Sequence, residues 1–254
     1  MFRRLSRGVE LTVSGVSFLE DTKAILAQLD RAVKAAESLA RGHSGRLRVG
    51  FGGATYLPTA VPDAILHYRR LYSDVSLFPE QSNTPALIHA LVNGTVDIAF
   101  IRPPFNTGPE IQTESFLEEE MLVVLPAHHP LAGTDAIHLH ELADETFILF
   151  PREVGPGLHD SIIAACLKAG FSPRLGTAAS QIVAAVPMVA AGFGVSVVPA
   201  SVASLAVRGV AFFRIRNTLT RAPISLAWRR DDHSPTLRNF LTALRKFRRG
   251  MKER

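Results

Sequence analysis

Between Val16 and Arg41 the chain holds neither glycine nor proline, and Phe18, Thr22, Ile25, Leu29, Ala32, Ala36 and Leu39 recur through it at alternating steps of four and three. That is a heptad seam. A helix over residues 16–41 extends about 39 Å at about 1.5 Å per residue, farther than a compact core can cover. Asp21, Lys23, Asp30, Arg31, Lys34 and Glu37 fall off the seam, so its expected partner is another long helix, that of a second copy. The competing reading is a surface helix packed on its own domain. It is weakened by Arg41-Gly-His-Ser-Gly45, which releases the chain straight into a strand with no returning helix.

The chain is 254 residues long, 47% hydrophobic and 20% charged, enough for two domains with sizeable cores. No apolar run approaches the roughly 20 residues of a membrane span. Met1-Phe-Arg-Arg-Leu-Ser-Arg-Gly lacks the apolar stretch of a signal peptide, so no membrane partner is expected and the expected location is cytoplasmic. The single Cys166 forbids an internal disulfide. Net charge is +5, but the last ten residues carry +5 and the first ten +2, which leaves −2 for residues 11–244. The body therefore has no basic excess. The tail reads first as a solvated helix end, its cations at the negative end of the dipole.

Residues 1–14 read as a basic turn at Ser6-Arg7-Gly8 leading into a short alternating strand. After the long helix, Arg46-Leu-Arg-Val-Gly-Phe-Gly52 alternates as a strand, and Gly52-Gly53-Ala54-Thr55 turns into a helix over about 58–72. Val75–Gln81 is the next strand. Thr84 and Pro85 read as the cap and first position of a helix that ends at Gly94. Val96–Ile101 follows as a buried strand. This β-α-β-α-β order implies a parallel sheet with helices on its faces. A second block repeats the order. It has strands at Met121–Pro126, Phe147–Phe150 and Gly194–Pro199, helices over about 158–169 and from a Ser180 cap to Ala191, and a further helix opening at Ser201. Ala222–Trp228 is then a strand, and a helix from Ser234-Pro235 carries Leu237, Phe240, Leu241, Leu244 and Phe247. These last elements return to the first block.

Several stretches, in order and spacing, carry a family resemblance. They are Phe2-Arg-x-x-Ser-Arg-Gly-Val-x-Leu-Thr-x-x-Gly15, the linker helix, Gly45-x-Leu-Arg-Val-Gly-Phe51 and Thr84-x-x-Leu-x-x-x-Leu-x-x-Gly-x-x-Asp97. His129-Pro-Leu-Ala132, Glu141-Leu142, Pro151-Arg152, Ala169-Gly-Phe-x-Pro173 and Ala190-Ala-Gly-x-Gly-Val195 continue the series. Together they are similar to LysR-type transcriptional regulators over essentially the whole chain. The resemblance implies an α/β protein with two Rossmann-like subdomains of periplasmic-binding-protein type, joined by two crossing strands and preceded by a long linker helix and a remnant of a winged helix. It implies boundaries at 1–14 for the wing, 15–42 for the dimerisation helix, 46–120 with 226–250 for the first subdomain, and 121–225 for the second. It also implies that the helices ahead of the wing are absent, so that the chain is not expected to bind an operator alone, since the recognition helix reads base edges. Arg4 and Arg7 of the wing would contact phosphate. The implied partners are DNA, a small anionic metabolite and further copies of the chain, as a dimer or dimer of dimers.

In paired open α/β sheets, ligands sit beyond the carboxyl ends of the strands, between the domains. The effector candidates are therefore Thr55 after the first strand, Ser82, Asn83 and Thr84 after the second, and Arg102 after the third. In the other block they are Arg152, Pro156, Gly157 and Leu158 after one strand, and Gln181 at a helix start. Several are helix N-termini, which attract anions, so a small carboxylate is expected. Each has a plainer role as well. Thr84 is sufficient as an N-cap, Thr55 closes a Gly-rich turn and the hydroxyl expected there can fall at Ala54, Gly155-Pro-Gly157 is a rigid turn, Gln181 is solvated, and Arg152 pairs with Glu153 or Asp160.

Enzyme readings lack support. Gly50-x-Gly52 and Gly192-x-Gly194 both fail to complete G-x-G-x-x-G, and neither a phosphate-binding loop nor a G-x-S-x-G elbow occurs. His128-His129 has no spaced partner and reads as two exposed imidazoles, Cys166 reads as a buried inert thiol, and Asp231-Asp232 beside Arg229-Arg230 reads as a solvated turn. No catalytic residue, metal site or cofactor is expected. The alternative to a transcriptional regulator is a solute-binding module with no role in transcription.

Overall fold

The structure is a computed structural model that describes every residue except Ser6, Asn106, Thr107, residues 217–220, Glu253 and Arg254, with the side chain of Lys252 also left out. Ser6 of the expected basic turn and the last charges of the tail thus lie outside the described residues. The chain opens with a hairpin, β1 (Phe2–Arg4) against β2 (Val9–Leu11), in which Arg3 lies opposite Glu10 and bonds it at 2.9 Å. Helix α1 (Val13–Ala40) follows directly and runs 28 residues. Its start lies ahead of the Val16 expected from composition, because Thr12 caps it by accepting from the Gly15 N–H at 3.1 Å. Gly15 is needed there. A Cβ would stand 2.0 Å from the Met1 carbonyl, which also accepts from the Thr12 N–H.

Between its first and last turns the apolar side chains of α1 are left exposed by the described residues. Phe18, Ile25, Leu29 and Leu39 are 56–65% exposed, and Leu19, Leu26 and Val33 form a second exposed stripe beside them. The helix is held only at its far end. Gly42, in a left-handed conformation, packs so closely on Pro235 and Thr236 that a Cβ would meet backbone at 2.5 Å, and the Asn239 amide donates to the Arg41 and Gly42 carbonyls.

The rest of the chain forms two lobes. In the first, β3 (Ser44–Gly52) lies parallel to β4 (Asp74–Ser82) on one side and to β5 (Ile98–Ile101) on the other, and β12 (Arg221–Arg229) and β6 (Ile111–Pro126) continue the sheet antiparallel. Helices cover both faces: α2 (Ala60–Leu71) and α6 (Pro235–Lys252) pack against Leu47, Phe100 and Trp228, and α3 (Thr84–Val92) packs against Ala99, Ile101 and Ala227. A strand buried on both faces is apolar throughout, which is why Ile98–Ile101 has no alternation. Gly50 admits α3, since a Cβ would sit 2.7 Å from Leu87 and 3.1 Å from Ala99. Asp97, the last landmark of the second-helix motif, takes the Arg48 backbone N–H and guanidinium together at 2.6–3.1 Å and so pins β5 to β3.

The second lobe is built on the far half of β6, flanked by β10 (Ser196–Pro199) and β11 (Val210–Ile215), with β7 (Ala136–Ile137) beyond. The short pair β8 (Thr146–Phe147) and β9 (Arg174–Leu175) and the helices α4 (Pro156–Lys168) and α5 (Ile182–Ala190) complete it. β6 and β12 run side by side from one lobe into the other: Ala222 joins the core of the second lobe and Ile224 that of the first, so the changeover falls slightly before residue 225.

Several expectations change. Residues 111–120 are strand, not connection: their glutamates hid the pattern, and the ladder is supported by Glu114 with Arg245 and Arg248, and Glu120 with Arg221. These pairs also mean that part of the basic tail is bound rather than solvated. β11 was not expected at all. The strand at Phe147 is only two residues, and Ser201 opens a short 3-10 turn (Ala200–Leu205) instead of a helix. Asn83, not Thr84, caps α3, accepting from the Ala86 N–H at 2.8 Å, and α5 starts after Gln181 with no side-chain cap. His129 is half-buried, caps a 3-10 turn and bonds Glu145 at 3.1 Å. Arg229 is no solvated charge either, for it donates to the Leu91 and Val96 carbonyls and pairs with Asp232.

Burial against Tyr72 and Phe240 leaves the Tyr68 hydroxyl without a hydrogen bond. An unsatisfied buried polar group costs about 1–3 kcal/mol, so Tyr68→Phe is expected to unfold in urea at an equal or higher midpoint. Gly50→Ala is expected to lower stability by about 1–3 kcal/mol through overpacking against α3.

Candidate functional site

The carboxyl ends of β3 and β5 and the start of α3 face the starts of α4 and α5 across the junction of the lobes. Between them lies a cavity of about 40 Å3. One buried water needs on the order of 10–15 Å3, so the space holds roughly three waters or a small organic ion. The first lobe lines it with Gly52, Gly53, Ala54, Thr84 and Arg102, the second with Phe150, Val154, Gly155, Leu158, Gln181 and Ile182.

Three helix starts therefore meet at one cavity. Because Asn83 already caps α3, the Thr84 hydroxyl is spare. The residue is 6% exposed, and its hydroxyl makes no hydrogen bond among the described residues. It stands at the end of β3, where a Cβ on Gly52 would be 3.2 Å from its Oγ1. Helix α4 begins at Pro156 behind Gly155, with no side-chain cap, so the Gly157 and Leu158 N–H groups have no capping acceptor from a side chain. The start of α4 is pressed against the other lobe: a Cβ on Gly157 would lie 2.5 Å from the Pro103 carbonyl.

The residues expected to form the site divide. Thr84, Arg102, Leu158 and Gln181 line the cavity, and Ser82, Asn83, Pro156 and Gly157 stand beside these in the chain. Thr55 does not line it. It is fully buried, its hydroxyl donates to the Phe100 carbonyl at 3.1 Å, and Ala54 takes the place at the cavity wall. Arg152 lies outside too, exposed and held by Asp160 in a two-pronged pair at 2.8 Å, which draws the Asp160 carboxyl below its usual range. Phe150, Val154 and Ile182 were not picked out from sequence. They are ordinary apolar residues in apolar segments, and only the lobe arrangement turns them towards the cavity.

Arg102 is in the wall but engaged. Its Nη1 donates to the Ala222 carbonyl at 2.8 Å and its Nη2 to Glu119, whose second oxygen accepts from the Ser201 N–H at 2.9 Å. Burial pulls the guanidinium below its ordinary value and Glu119 opposes that pull. The network joins the end of β5, both crossing strands and the 3-10 turn after β10, and so ties the lobes together behind the cavity.

No cluster of metal-ligating side chains occurs among the described residues. Cys166 is buried and its thiol is pushed up to about 11, which removes it as a nucleophile at neutral pH.

A profile of the LysR substrate binding domain matches residues 40–249. The HTH-type transcriptional regulator BudR of Raoultella terrigena is 34% identical over 241 residues, covering 95% of this chain and 83% of its own. The crystal structure of CbnR, a LysR family transcriptional regulator, superposes with a TM-score of 0.87 at 27% identity, over 96% of this chain and 84% of that one. The BenM effector binding domain with its effector benzoate superposes at 0.71 and 25% identity, over 82% of this chain and 93% of that one. These relatives are regulators and not enzymes, in line with the lack of any catalytic motif. With a two-lobed body, a cavity walled by three helix starts and a long exposed helix ahead of them, the chain belongs to the LysR family of transcriptional regulators.

Proposed function

We propose that this chain is an effector-responsive regulator that senses a small carboxylate-bearing metabolite between its lobes and transmits the lobe geometry to DNA through copies twinned along α1, as a dimer or dimer of dimers. The observation that carries this reading is the convergence of helix starts from both lobes on one cavity, with Thr84, a largely buried residue whose side chain is not needed to cap α3, in its wall. Free N–H groups and the positive end of a helix dipole favour a carboxylate at such a place. Thr84, Leu158 and Gln181 contact the effector directly. Ser82, Asn83, Pro156 and Gly157 shape the rim, Thr55 holds the loop after β3, and Arg102 and Arg152 brace the two sides. That BenM binds benzoate in the same kind of body supports the ligand class.

The hairpin ahead of α1 acts as the wing, with the exposed Arg4 and Arg7 on DNA phosphates. CbnR bound to its target DNA superposes on 97% of this chain, which supports that role. Among the described residues no helix is long and apolar enough to cross a membrane, and the reading places the protein in the cytoplasm with its operators.

Two outcomes are expected. The paired change Ile25→Glu with Leu29→Glu puts charges into the seam, and light scattering should then report a monomer whose lobes melt as in the parent. A dimer of unchanged mass would count against α1 as the interface. Small-angle scattering at saturating butyrate should show a changed envelope for the parent and a smaller change for Gly157→Ala, whose methyl obstructs the approach of the lobes.

A further inference from the structure

Of the side chains that line the cavity among the described residues, Arg102 alone is ionisable. It is 7% exposed and already carries a carboxylate partner, Glu119, plus the Ala222 carbonyl. On the second lobe the Arg152 guanidinium is directed elsewhere, pairing with Asp160, and the His159 ring faces the same carboxylate. The cavity therefore offers only neutral donors, namely the Thr84 hydroxyl, the Gln181 amide and the N–H groups at the starts of α4 and α5, and among the described lining residues no free cation to balance a second negative charge.

Apart from the Gln181 amide at the start of α5, the remaining side chains of the wall are apolar. Phe150, Leu158 and Ile182 are all buried, Val154 stands beside them, and Ala54 closes the opposite side. Each removes water from a ligand's body without offering it a hydrogen bond. A second carboxylate placed among them would be buried unpaired, and Glu119 lies behind the guanidinium as a like charge.

We propose that the cleft selects a monocarboxylate with a short apolar body, and that Glu119 sets this selectivity by neutralising Arg102 and so excluding dicarboxylates. The inference rests on the effector reading of the cleft given above. It makes Glu119 a residue that acts through another: removing its charge while keeping its shape frees the guanidinium to meet a second carboxylate. The size follows from the cavity, since roughly three waters' worth of space suits a carboxylate with a few carbons.

Butyrate and succinate share a four-carbon chain and differ in whether the far end is a methyl or a carboxylate, so the pair isolates the second charge. Calorimetric titration of the full chain with each is expected to give butyrate an affinity at least about tenfold above succinate. In Glu119→Gln the ratio should fall by about tenfold or invert, and in Thr84→Val butyrate should weaken by about tenfold. Succinate binding as tightly as butyrate, with both sensitive to Thr84→Val, overturns the selectivity and leaves the cleft as the effector site. An unchanged ratio in a folded Glu119→Gln overturns the role of Glu119. Should that variant not fold, the parent ratio still decides the selectivity. Binding of neither acid overturns the inference, and if benzoate binding is also absent or indifferent to Thr84→Val, the cleft reading falls with it.

Discussion

The lobes are held to each other by a strand that belongs to two sheets. The first part of β6 pairs with β12, and after Glu120 the same strand pairs with β10 and β11. A backbone that changes partners midway must turn its ladder hydrogen bonds from one sheet to the other, and the side chains at the changeover are where the two bodies can be coupled. Glu119 sits there. Through Arg102, Ala222 and Ser201 it gathers the end of β5, the second crossing strand and the first residues after β10 into one network. Buried charge pairs contribute little net stability but hold geometry well, since breaking one leaves an uncompensated charge.

This arrangement places the cavity. In the first lobe the carboxyl ends of the parallel strands β3 and β5 and the start of α3 lie together, and the two crossing strands set them opposite the starts of α4 and α5. The loop after β3 adds to this by sending Ala54 and Leu57 into the core of the second lobe. Gly157 at the opposite side leaves no room for even a methyl between α4 and Pro103.

The long helix stands apart from this logic. It touches the body through Gly42 and Asn239 and otherwise presents apolar residues to solvent. A stripe of that length and composition is unfavourable in water unless another surface covers it.

Much of this was legible in the sequence because it depends on local pattern. The heptad seam at Phe18–Leu39, the β-α-β-α-β order of the first block and the family landmarks are properties of spacing and turn chemistry, which neighbouring residues set by themselves; the expected repetition in the second block fails, since β10 and β11 run antiparallel to β6 and β8 is two residues long. The acidic half of β6 was not legible, since Glu114, Glu119 and Glu120 find their cations on α6, β5 and β12, all distant in the chain. The cap of α3 illustrates the same limit at short range: Asn83 and Thr84 are both good caps, and only the seating of α3 on Gly50 decides which hydroxyl or amide is left over. Sequence alone determined that there are two α/β blocks and a rod. Tertiary structure decided that Arg102 is engaged, that Thr55 is a strut and that Phe150 and Ile182 line the cavity between the lobes, because each of these depends on which distant group occupies the next few ångströms.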